Sequence, residues 1–208
     1  MNAHKHILLL DVGTGNLQSV QKALEAVGAE VVRSDSPKSL ADYPKIVLPG
    51  VGAFGDFMQR LRALGLEEAL HQALARGSLL LGICVGMQAL FESSEELGFH
   101  AGLGLLSGRV VRFPQRPLLK VPHTGWNELS VQQQHELLNG LPERPFAYFN
   151  HSYYCLAEES QDCLALTEHE VRFASVVARQ NLCGVQFHPE KSQKVGLKIL
   201  QNFVEWQP

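Results

Sequence analysis

Strands that are apolar on both faces must be covered on both sides, and this requirement constrains the chain more than any other feature of its sequence. Three segments read this way. They are Ile7–Val12, apolar but for Asp11, then Ile46-Val47-Leu48, and Leu79–Ile83. Helical patterns lie between them. Leu17, Val20, Leu24 and Val27 share one face closed by Gly28, and Phe57, Leu61 and Leu64 open a second helix that continues past Gly65 through Leu66, Leu70 and Leu74. Glu30–Val32 fits a short strand. Such alternation predicts a parallel sheet with helices on both faces. The second half is richer in strands: Arg109–Phe113, Phe146–Cys155, Cys163–Thr167, Phe173–Arg179 and Leu182–Phe187. Gln180-Asn181 reads as a tight hairpin connection, and Val195, Ile199 and Phe203 mark a closing helix. The expected fold is therefore α/β, a mostly parallel sheet flanked by helices, with an antiparallel β extension. No repeat or linker interrupts it, so a single domain over residues 1–208 is expected.

Charge excludes little but orders the alternatives. Eighteen basic and 21 acidic side chains give a net charge of −3, which offers no general attraction to nucleic acid or to anionic lipid. The N-terminal apolar run is too short for a signal-peptide core and ends at Asp11, and no stretch approaches membrane-spanning length. A cytoplasmic location is expected, with no nucleic-acid or membrane partner. The four cysteines, Cys84, Cys155, Cys163 and Cys183, form no CxxC pair, so neither a zinc ribbon nor a thioredoxin-like site is indicated. Cys155, Cys163 and Cys183 read as small buried hydrophobes.

Cys84 is different. Gly82-Ile83-Cys84-Val85-Gly86 follows a buried strand and precedes a helical segment, Met87–Phe91, which is the strand–turn–helix setting of a nucleophile elbow. A sharp turn there lifts the thiol off the end of the sheet, with glycines relieving the crowding. A helix N-terminus behind it favours thiolate and offers backbone N–H groups to an oxyanion. Taken alone, the motif is equally compatible with a structural cysteine.

A base is supplied about a hundred residues later by His188-Pro189-Glu190. In extended chain, residues i and i+2 point the same way, so Glu190 is placed to orient His188 and fix its tautomer. The motif could also be a surface pair or a metal pair, but H-x-E here lacks the P-C-x-x-C of zinc deaminases, and no metal site is expected. Gly50-Val51-Gly52-Ala53-Phe54-Gly55 matches a dinucleotide fingerprint, yet Ala69 through Phe91 contains no acid to hold a ribose. A glycine loop turning backbone N–H groups toward an oxyanion is the better reading. No cofactor is expected.

Taken together, Pro49-Gly50-Val51-Gly52, the elbow, Gln88 and His188-Pro189-Glu190 resemble the class I glutamine amidotransferases. Asp11–Leu17, Lys120–Asn127, His151–Tyr154 and Phe187–Ser192 narrow the resemblance to the glutaminase subunits of imidazole glycerol phosphate synthases, and the matching segments span almost the whole chain. The resemblance implies a glutaminase with Cys84 as nucleophile, His188 as base and Glu190 as its orienting carboxylate. It places oxyanion-stabilising backbone at Val51, Gly52 and Val85, and glutamine contacts at Gln88, Glu96, Ser152 and Tyr153. Asn16, Trp126, Tyr148 and Lys191 become partner-facing positions. It further implies ammonia transfer to a (β/α)₈ cyclase on a separate chain, since such a barrel needs about 200 residues or more of its own, and a role in histidine biosynthesis. A resting Val51 peptide that flips when the partner binds is sterically permitted by its glycine neighbours. Three alternatives stand beside this reading: an amidotransferase of anthranilate, GMP or pyridoxal phosphate synthesis, a silent binding module on the same fold, and a cysteine peptidase or thiol hydrolase.

Overall fold

The computed structural model describes residues 5–117 and 119–207. Its first half runs β1 (His6–Leu10), α1 (Leu17–Ala26), β2 (Glu30–Ser34), β3 (Lys45–Gly50), α2 (Phe54–Ala63), α3 (Leu66–Ala75), β4 (Leu79–Cys84) and α4 (Val85–Gln88). The second runs β5 (Phe91–Ser94), β6 (His100–Ala101), β7 (Leu106–Arg112), β8 (His123–Glu128), β9 (Ser130–Val131), β10 (Phe146–His151), β11 (Tyr153–Ala157), β12 (Cys163–His169), β13 (Val171–Arg179), β14 (Leu182–Val185) and α5 (Gln193–Glu205).

Eight strands form the main sheet in the order β2-β1-β3-β4-β14-β13-β12-β9. The five from β2 to β14 are parallel, and β13, β12 and β9 continue antiparallel. This is the expected α/β sheet with its antiparallel extension. Every residue of β3, β4 and β14 is buried, as continuous apolar strands in the middle of a covered sheet must be. A four-stranded sheet, β11-β7-β5-β6, and a two-stranded ribbon, β10-β8, complete the β structure.

Three local expectations need correction. The helix expected to pass Gly65 is two helices, because Gly65 adopts φ 70, ψ 19 and so ends α2 before α3 begins. The helix expected over Met87–Phe91 stops after one turn. The carbonyls that would extend it are taken by a returning segment: Leu103 N–H donates to Ala89 O at 2.8 Å, Leu105 N–H to Leu90 O at 2.8 Å and Gly104 N–H to Phe91 O at 3.2 Å. Phe91 then starts a strand. Finally, Phe146–Cys155 is not one strand. It breaks at Ser152, so that β10 pairs with β8 while β11 pairs with β7 in another sheet.

Candidate active site

Parallel strands β3, β4 and β14 lie side by side and end at the same edge. Gly50 pairs with Cys84 across β3 and β4, and Ile83 pairs with Val185 across β4 and β14. The chain therefore leaves three neighbouring strand ends as the Val51-Gly52 loop, the Cys84 elbow and the Gln186–Glu190 segment. Crevices beyond the carboxyl ends of parallel strands are where open α/β sheets bind ligands. Here the crevice is a cleft of about 310 Å³, walled by Val51, Gly52, Cys84, Gln88, Glu96 and His188 among others.

Cys84 has φ 55 and ψ −111, a conformation that costs a non-glycine residue on the order of 1–3 kcal/mol. Crowding behind the turn explains the flanking glycines. A Cβ on Gly86 would stand 1.8 Å from the Leu48 carbonyl oxygen, and one on Gly82 would stand 2.6 Å from the Gly86 oxygen. Val85 opens α4, so its N–H is one that the helix leaves unpaired. With only four residues, α4 has little macrodipole. Any pull on the sulfur comes from these first N–H groups rather than from the longer helix expected from sequence.

The side chains of His188 and Glu190 are both buried, and His188 Nδ1 lies 3.1 Å from Glu190 Oε1. Burial works against a charged imidazole. Hydrogen bonds to Cys84 and Glu190, together with their negative charges, outweigh it, and the His188 pKa is pushed up to about 10. The imidazolium is thus favoured between sulfur and carboxylate. Glu190 Oε2 is buried with no hydrogen-bond partner. The His188 N–H donates to the Tyr148 carbonyl at 2.9 Å, and Ser192 Oγ donates to the His188 carbonyl at 2.7 Å, so the segment is held at both ends.

The other predicted positions fall into two groups. Gln88, Glu96, Ser152 and Tyr153 all line the cleft. Gln88 Nε2 donates to the Tyr153 carbonyl at 3.0 Å and to Gln186 Oε1 at 3.1 Å. Glu96 Oε2 accepts the Phe54 N–H at 2.7 Å, capping α2 from 42 residues away. Lys191 lines the cleft as well, whereas Asn16, Trp126 and Tyr148 do not. Asn16 caps α1 by accepting the Ser19 N–H at 3.3 Å, and with Glu190 it borders a small crevice behind the cleft. Trp126 and Tyr148 are paired across the β8–β10 ribbon with their rings 6.2 Å apart, and Lys191 Nζ sits 5.9 Å from the Tyr148 ring. Trp126 is 47% exposed, so it is no core aromatic.

Sequence reasoning missed Gln186. It is fully buried, and its Nε2 donates toward Cys84 Sγ at 3.9 Å. The same i, i+2 argument that joined His188 to Glu190 would have found it one step upstream. Cys155, Cys163 and Cys183 are buried as expected, and burial pushes their thiols up. Among the described residues, no group of three or more His, Cys, Asp or Glu side chains is arranged to hold a metal ion. Nor is any described helix long and apolar enough to cross a membrane.

The chain has known relatives in both sequence and fold. Residues 8–206 match the family model described as glutamine amidotransferase class-I. Imidazole glycerol phosphate synthase subunit HisH of Sulfurimonas denitrificans is 47% identical over 204 residues, covering 97% of this chain and 98% of that relative. The subunit of the same name from Aquifex aeolicus is 47% identical over 197 residues, 94% of each chain. Among solved structures, a glutamine amidotransferase superposes with a TM-score of 0.75 at 19% identity, covering 96% of this chain and 99% of the other, and PurLQS from Thermotoga maritima with 0.74 at 21%, covering 96% and 97%. At those identities the structures speak for the fold alone, which is that of the glutamine amidotransferases. With near-complete coverage at almost half identity, the chain belongs to the class I glutamine amidotransferases and, within them, to the HisH subunits of imidazole glycerol phosphate synthase.

Proposed function

We propose that the chain is the glutaminase subunit of an imidazole glycerol phosphate synthase, with Cys84, His188 and Glu190 as its triad. One observation carries this reading. A cysteine on a strained elbow faces the same cleft as a buried imidazole whose far nitrogen is held by a buried carboxylate.

The steps follow from the geometry. His188 takes the Cys84 proton. The sulfur attacks the side-chain amide carbon of glutamine, forming a C–S bond, and the carbonyl oxygen becomes an oxyanion. Val85 N–H, with N–H groups of the Val51-Gly52 loop, receives that charge; one such donor is typically worth about 10²–10³ in rate. His188 gives its proton to the amide nitrogen, the C–N bond breaks and ammonia leaves. Water then adds to the thioester as His188 takes its proton, and the C–S bond breaks to release glutamate. Gln88, Glu96, Ser152 and Tyr153 hold the substrate's polar ends.

Ammonia passes to a (β/α)₈ cyclase subunit that joins it to a ribonucleotide in histidine biosynthesis, in the cytoplasm. The exposed Trp126, packed beside Tyr148, with Lys191 at the cleft and Asn16 at the neighbouring crevice, supports a partner on this side. The deciding assay is glutamate release by the purified chain with and without the cyclase and its ribonucleotide substrate. Stimulation by that pair is expected, and Cys84→Ala abolishes turnover while the protein stays folded. Undiminished turnover in Cys84→Ala would remove the sulfur from the mechanism. Stimulation only by an anthranilate or GMP synthase partner would reassign the subunit.

A further inference from the structure

Three histidines outside the triad, His123, His151 and His169, pack together under the β8–β10 ribbon. His123 and His151 are buried and face each other across it. Their hydrogen bonds have a determinable direction. The Tyr153 carbonyl can only accept, so His151 Nδ1, 2.7 Å away, carries a proton. Neutral His151 then has Nε2 as an acceptor, and His123 Nδ1 donates to it at 3.0 Å. His123 Nε2 in turn accepts from Asn127 Nδ2 at 3.2 Å. The Asn127 amide is itself fixed, because its oxygen accepts the Glu128 N–H at 2.8 Å and its nitrogen donates to the Glu168 carbonyl at 2.8 Å.

Beyond Tyr153 the chain continues into the cleft. The same carbonyl accepts from Gln88 Nε2, whose second N–H goes to Gln186 Oε1, and Gln186 Nε2 points at Cys84 Sγ. Both N–H groups of Gln88 are thereby used, which leaves its Oε1 as the free end at the cleft, an acceptor for an amide or ammonium N–H. We infer that His123 is a positioning residue for the glutamine site: it holds His151 and the Tyr153 carbonyl so that the Gln88 amide presents oxygen rather than nitrogen to the substrate. Burial keeps both rings neutral, as this directed chain requires. The His123 pKa is pushed down to about 4 by burial and by His169, and that of His151 to about 3, mainly by burial.

This inference rests on the glutaminase reading, and the test separates the two. Glutaminase kinetics are measured on the complex with the cyclase for wild type, His123→Phe and His123→Gln, with thermal melts as the folding control. Phe keeps the ring that stacks on Phe149 at 4.9 Å but removes the donor; Gln restores an N–H donor. His123→Phe is expected to raise KM for glutamine about tenfold with kcat little changed, and His123→Gln to recover to within about threefold of wild type. A merely structural role would lower the melting temperature without that split or that rescue. An unchanged KM in folded His123→Phe overturns the inference. If that variant does not fold, Asn127→Leu, which strips the amide from His123 Nε2, takes its place, and an unchanged KM there overturns it equally. A wild-type complex that releases no glutamate defeats the glutaminase reading itself.

Discussion

Replacing Glu190 with glutamine changes one atom's charge and almost no volume. Its consequence follows from two facts: the carboxylate lies 3.1 Å from the His188 ring nitrogen, and its other oxygen has no partner. At that distance the attraction between carboxylate and imidazolium is roughly 5 kcal/mol for an effective dielectric near 20. The amide can take either of two orientations. With its oxygen toward Nδ1 it keeps a neutral hydrogen bond worth about 1 kcal/mol, but buries an N–H where nothing accepts it. With its nitrogen toward Nδ1 it needs that ring nitrogen unprotonated, so it cannot support the imidazolium at all. The first orientation leaves the protonated histidine short of roughly 4 kcal/mol and the second of more, which corresponds to a fall in kcat of about 10³-fold or greater. KM should move little, because Glu190 does not line the cleft. The assay is glutamate release at saturating glutamine in the presence of the cyclase. A Glu190→Gln enzyme with kcat within threefold of wild type would show that the carboxylate neither orients nor charges His188.

Three further outcomes are expected. His123 and His151 have folded pKa values of about 4 and about 3, below the ordinary 6.5, so their contribution to stability is complete above pH 6.5 and lost as pH falls through 4 and 3; urea melts should lose stability in that window with a slope approaching two protons, and a flat profile would refute it. Buried Lys45 donates to the Val204 carbonyl at the end of α5, and burial lowers its pKa from 10.5 to about 8. Lys45 should therefore add stability as pH rises from 8 to 10.5, while His188, with its pKa raised to about 10, removes it up to pH 10. The difference in stability between wild type and Lys45→Met should shift in favour of wild type across pH 8–10.5, and a constant difference would refute it. Gly86→Ala, which drives a Cβ to 1.8 Å from a backbone oxygen, should cost more than about 3 kcal/mol or prevent folding; a soluble variant with wild-type melting would show that the elbow can shift.

Much of this architecture is legible in the sequence because its central strands carry an unmixed signal. β1, β3 and β4 are apolar on both faces, and glycines mark where they stop. Cys84 could be found because it stands at such a stop, and His188 and Glu190 because they follow an apolar strand in a His-Pro-Glu motif. The readings fail where tertiary pairing overrides local pattern. The residues after the elbow have helical character, but their carbonyls are captured by Gly102–Leu106. Phe146–Cys155 has unbroken β propensity, and only the divergence of two sheets at Ser152 divides it. Direction within a polar network is also invisible in sequence. His123 and Asn127 lie in a segment that selects the family, yet nothing in their spacing says that one donates to His151 and the other fixes it.

The strain at Cys84 and the burial of His188 and Glu190 are each unfavourable alone, and the sheet explains how both persist. β4 is hydrogen-bonded on both sides, to β3 through Gly50–Cys84 and to β14 through Ile83–Val185, so the strand cannot retreat to relax the elbow. Gly86 packs against the Leu48 carbonyl of β3, which closes the turn from the other side. The same β14 that locks β4 delivers His188 beside it, with the Tyr148 carbonyl and the Ser192 hydroxyl fixing the segment's backbone. Nucleophile and base are thus set by one pair of adjacent strands rather than by two independent loops. Their separation is a property of the sheet, and the Val51-Gly52 loop is left with room to respond to a partner. Gly52 has φ 92, and a Cβ added there would meet nothing within 4 Å. With Val51, 39% exposed, it forms an open wall of the site.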